Sequence, residues 1–76
     1  MSYSLEQLKQ KLAAPGWRAH AEGKPLEGTL GEVAEAVHAR HAQGHATGHL
    51  QEVETEIKVD LLQLQELWRH MGLPVI

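Results

Sequence analysis

At 76 residues the chain holds one small domain, residues 1–76, with no room for a second core. Hydrophobic residues make up 42% and aromatic ones 4%, with two Trp, one Tyr and no Phe, so a core has to be built from Leu, Val, Ile and Ala, which favours helices over a β-sandwich. The absence of Cys excludes a disulfide framework and thiolate chemistry. Seven Lys plus Arg against ten Asp plus Glu leave a formal charge of -3, which argues against a broad phosphate-binding surface. With no apolar run near the roughly 18 residues of a membrane span and no secretory leader pattern, the chain reads as soluble and cytoplasmic, with neither nucleic acid nor membrane as a partner.

Residues 1–13 carry Leu5, Leu8 and Leu12 on one helical face. Ser4 with Gln7 forms a capping-box pattern, Tyr3 stands where a hydrophobic staple onto Leu8 would, and Pro15 and Gly16 stop the helix. Residues 15–28 fit neither the helical nor the strand period, because Gly16, Gly23, Pro25 and Gly28 punctuate them, and they read as a connector anchored to the core by Trp17. Trp17, Ala19 and Ala21 also fit a brief extended stretch, which would need a strand from a second chain to pair with. Residues 29–43 form a second helix, opened by a Thr29 and Glu32 capping box and striped by Leu30, Val33 and Val37. A third and longer helix is expected where Leu50, Val53, Ile57, Leu61, Leu64, Trp68 and Met71 step by three or four residues, ending at Gly72 and Pro74.

The two apolar stripes differ in phase at about 100° per residue, and Gly44 and Gly48 bracket the change. The expected fold is therefore all-α: a short N-terminal helix, an irregular connector and an antiparallel helical hairpin bending at residues 44–48. A single continuous rod is the alternative. Either arrangement leaves a thin core and an apolar tail at Leu73, Val75 and Ile76, so completion by a homo-oligomer is expected, with a protein partner as a further option.

His38, His41, His45 and His49 are spaced by three, four and four, and on a continuous helix would form one ladder over three turns. Imidazoles one turn apart can share a transition metal such as Zn²⁺ or Ni²⁺, with Glu35 as a mixed ligand beside His38 and His41. The same four residues also read as a solvated or interfacial face, or as a pH-responsive interface, since protonating all six His moves the formal charge from -3 to +3. No cofactor is required by any of these last readings.

Glu32, Glu35, Glu56 and Asp60 form the second candidate cluster. In a hairpin pivoting near residue 46, Glu32 lies opposite Asp60 and position 36 opposite Glu56, a height-matched set of carboxylates that could hold Mg²⁺. Against that, Glu32 is engaged in the capping box and Glu54 with Lys58 makes an ordinary surface pair. The run Leu30-Gly31-Glu32-Val33-Ala34-Glu35-Ala36-Val37, followed by Glu56, Asp60-Leu61-Leu62 and a Leu-rich helix ending at Gly72-Leu73, resembles the MazG-like all-α nucleotide pyrophosphohydrolases over roughly residues 26–73. The resemblance implies Mg²⁺-dependent hydrolysis of nucleoside triphosphates to monophosphates. Gly28 and Thr29 stand where that family has the first two acids of its helix motif, and the second motif is stretched to Glu56-x-x-x-Asp60, so the resemblance implies a degenerate, inactive member. A glycine-rich phosphate loop and a nucleophile elbow are both missing from the sequence. The leading expectation is thus a non-catalytic binding or adaptor module that acts through helix surfaces.

Overall fold

The computed structural model describes residues 3–21, 25–44 and 47–76, without the side chains of Ala21, Thr47 and Gly48. The chain runs α1 (Leu5–Gln10), β1 (Trp17–Ala21), β2 (Leu26–Gly28), α2 (Leu30–Ala42), β3 (Thr47–Glu52), β4 (Lys58–Val59) and α3 (Leu61–His70). The four strands form one sheet in the order β2-β1-β3-β4, each pair antiparallel. The fold is α+β, and the all-α expectation is wrong. Because β1 runs against both β2 and β3, those two are parallel to each other, and α2 is the crossover that carries the chain past β1 from one to the other.

The connector holds the centre of this sheet. Trp17 and Ala19 are buried while Arg18 is half-buried and His20 exposed, the period of two that a strand with one covered face requires. Trp17 pairs with Gly28 on one side and Glu52 on the other, and Ala19 with Leu26 and Leu50. The partners that a lone strand would lack come from the same chain, one nearby and one more than thirty residues away. A bulge between Ala19 and Ala21 shifts the register towards Thr47.

Neither the helical hairpin nor the rod forms. Helix α2 ends where Gly44 takes a φ of +85° and donates its N–H to the His41 carbonyl at 3.0 Å, and the chain returns as β3. The long helix expected from residue 50 onward exists only as the ten residues Leu61–His70. Leu50 and Val59 are instead paired across β3 and β4 and point together into the core. Val53 is 44% exposed in the intervening turn. The three-to-four spacing thus reflects two strands and a tight turn. The β-branched side chains of Val53, Thr55, Ile57 and Val59 favour that outcome over helix. Glu56 in the turn adopts a φ of 56°, a conformation in which an L side chain is strained. Glu56→Gly should therefore raise stability by up to about 1 kcal/mol, read as a higher unfolding midpoint in urea; a lower midpoint would mean the Glu56 side chain is needed.

All three helices begin with a capping box, Ser4 with Gln7, Thr29 with Glu32 and Asp60 with Gln63. They pack on the sheet face that carries Trp17, Ala19, Leu50 and Val59, and the core adds Leu8, Leu30, Val33, Ala34, Val37, Leu64, Leu67 and Trp68. The Trp68 indole Nε1 donates to the Ala34 carbonyl at 2.8 Å, which fixes α3 against the middle of α2. Tyr3 packs beside Trp17 and donates its hydroxyl to Glu52 at 2.9 Å, while Lys11 lies 3.7 Å from the same carboxylate, so α1 is held to β3. At the start of α2 the Leu30 and Gly31 amides bond the Ala14 and Leu12 carbonyls, and a Cβ on Gly31 would come within 3.3 Å of the latter. Gly72, with a φ of +82°, closes α3 with Leu73 N–H to Trp68 O at 2.9 Å and its own N–H to Arg69 O at 3.2 Å, a Schellman motif at the predicted stop.

Candidate functional site

The histidine ladder is divided by the end of α2. His38 and His41 lie on that helix and meet Trp68 edge-on, with ring centroids 5.2 and 5.4 Å away. His38 Nε2–H also donates to the Pro74 carbonyl at 2.5 Å, tying the C-terminal tail to α2. His49 stands exposed on β3, a different element, and His45 lies outside the described residues. Among the described residues, no three His, Asp or Glu side chains converge where they could hold a metal ion.

The four carboxylates occupy separate places as well. Glu32 Oε1 accepts from the Thr29 hydroxyl at 3.0 Å, and Asp60 Oδ1 accepts from the Gln63 amide at 2.8 Å, so both serve as helix caps. Glu35 is exposed on α2, and Glu56 sits in the β3–β4 turn. Their expected facing required the helical hairpin, and the sheet removes it. The all-α scaffold that the pyrophosphohydrolase resemblance implied is likewise absent.

Two other surfaces stand out. The first is a groove of about 160 Å³ between α1 and α3, lined by Leu5, Leu8, Leu62, Gln63 and Glu66. Leu62 stands 74% exposed beside it, because at about 100° per residue it falls far from the core-facing stripe of Leu64, Leu67 and Trp68. Gln65 Nε2 donates to the Ile76 carbonyl at 3.0 Å and so brings the apolar C-terminus, Val75 and Ile76, alongside the same helix. Its phase on α3 makes Leu62 legible in the sequence once the helix start at Asp60 is recognised.

The second surface is the sheet face opposite the helices. Across it runs one row, Glu27, Arg18, Gln51 and Lys58, each opposite the next in register. His20 Nε2 bonds Gln51 Oε1, and Gln51 is only 7% exposed although no described helix covers it. Arg18 Nε is enclosed and meets no acceptor among the described residues, even though Glu27 is its cross-strand neighbour. An enclosed donor without a partner costs about 1–3 kcal/mol, more when charged, so the position of this Nε–H is unfavourable as it stands. No sequence signal marks it, since it depends on what three strands bring together.

No family model matches the chain, and neither a curated protein nor a solved structure does. Among the described residues no helix is long and apolar enough to cross a membrane.

Proposed function

We propose that the protein is a non-catalytic binding module that pairs with a second copy of itself through the α1–α3 face. The observation that carries this reading is Leu62, a large apolar side chain left 74% in water beside a groove lined by Leu5 and Leu8. Knob and groove lie side by side on one surface, which is the condition for a two-fold contact in which each copy seats its Leu62 in the other. The charges on the two helices also suit a second copy. Glu6 and Lys9 lie on α1 and Glu66 and Arg69 pair at 3.0 Å on α3, a balanced set in a chain that carries -3. The proposal keeps contact through helix surfaces and confines it to one layer of the α+β fold.

Sedimentation equilibrium over a wide concentration range tests the proposal. The wild-type chain should associate to a dimer, and Leu62→Glu should weaken association at least about tenfold, because burying a leucine side chain is worth about 1.5–3 kcal/mol. Its melting temperature should also lose the concentration dependence of the wild type. A monomer throughout, or a dimer indifferent to Leu62→Glu, sinks the reading. Mg²⁺-dependent release of pyrophosphate from a nucleoside triphosphate would overturn its non-catalytic half.

A further inference from the structure

We propose that the open face of the sheet carries a carboxylate-binding site built on Arg18 and His20. A depression of about 320 Å³ lies over Arg18, Ala19, His20 and Pro25 at the β1–β2 end of the sheet. Arg18 brings to it a guanidinium that makes no hydrogen bond or ion pair with any described residue, and whose Nε is shut away from solvent. A carboxylate accepts two parallel N–H bonds from Nε and one terminal nitrogen of such a fork. A rotation of Arg18 towards the ligand breaks no bond to a described residue, and it gives the enclosed Nε–H the acceptor it lacks.

His20 is positioned to take part. Its Nε2–H donates to the Oε1 of the buried Gln51, which orients the ring and leaves Nδ1 as its remaining polar atom, a donor to a carboxylate only when the ring carries both protons. Charge points the same way. Arg18 and Lys58 against Glu27 give the row an excess of one positive charge, in a chain whose total is -3. Glu27, directly opposite Arg18, opposes a doubly charged phosphate more than a singly charged carboxylate, and exposed His49 lies on the neighbouring strand. The site faces away from the helices, so it stands whether or not the α1–α3 face dimerises.

The ligand chemistry has two sources, a free small carboxylate or the carboxyl end of a peptide. Both are tested by following the Arg18 Nε–H resonance of the full chain at constant ionic strength. The probes are acetate, a short peptide with a free C-terminus and the same peptide amidated, with chloride as control. A saturable shift with acetate or with the free-acid peptide is expected, absent with chloride and with the amidated peptide. Arg18→Gln should abolish binding, read on backbone amides of β1, and Arg18→Lys should weaken it at least tenfold, because an ammonium lacks the fork. The lysine variant decides the matter if the glutamine variant loses its dispersed spectrum. Shifts that never saturate, an equal response to the amidated peptide, or an affinity in Arg18→Lys within a factor of about two of wild type would overturn the proposal.

Discussion

Replacing Trp68 by Ala should remove about 3–5 kcal/mol of stability, in line with truncation of a buried Trp, a large share of what holds the chain folded. For 76 residues the whole stability is on the order of 4–11 kcal/mol at 0.05–0.15 kcal/mol per residue. Trp68 is fully buried, and it is the point where α3 meets α2. Its loss would open a cavity under His38 and His41, whose rings rest on the indole edge-on, and would release the bond to the Ala34 carbonyl. Trp68→Phe separates the two contributions. It keeps most of the apolar volume and loses the N–H donor, worth about 0.5–1.5 kcal/mol, so it should fold with a smaller loss. Urea unfolding followed by far-ultraviolet circular dichroism reads both. A Trp68→Ala variant within about 1 kcal/mol of wild type would mean that the indole does not hold α3 to α2.

What the sequence reveals here follows the range of the interactions. Helix starts are local: Ser4 with Gln7 and Thr29 with Glu32 satisfy orphan amides within one turn, and both boxes form where their spacing predicts. Asp60 with Gln63 carries the same signal, and it marks the true start of α3 in the middle of an apparently continuous stripe. Strand pairing is not local. Trp17 meets Glu52 across an entire helix and turn, and nothing in residues 15–28 alone announces that a partner exists. The candidate site divides the same way. Leu62 is exposed because of its phase on one helix, which the residues state. The orphaned Arg18 Nε arises from side chains on adjacent strands. Helical spacing fails across elements for the converse reason: His49 and Glu56 belong to strand and turn, so a register counted from His38 or Glu32 does not reach them.

Leu50→Ala should cost about 2–5 kcal/mol, while Val53→Ala should stay within about 0.5 kcal/mol of wild type. On a continuous helix these two residues lie one turn apart on the same stripe, and their truncations would weigh alike. In the sheet their roles part. Leu50 stands in β3 between Ala19 and Val59, beneath α2, with no exposed surface. Val53 is past the strand, held by a backbone bond from its N–H to the Gly16 carbonyl at 2.6 Å, with 44% of its surface in water. That backbone bond survives truncation of the side chain, so alanine at 53 removes little beyond two exposed methyl groups. Equal losses at the two positions in matched urea titrations would restore the helical stripe and remove the sheet on which the Arg18 site depends. A large loss at Leu50 alone is what the strand predicts, with its side chain turned into the core and Gln51 turned out beside Arg18 and His20.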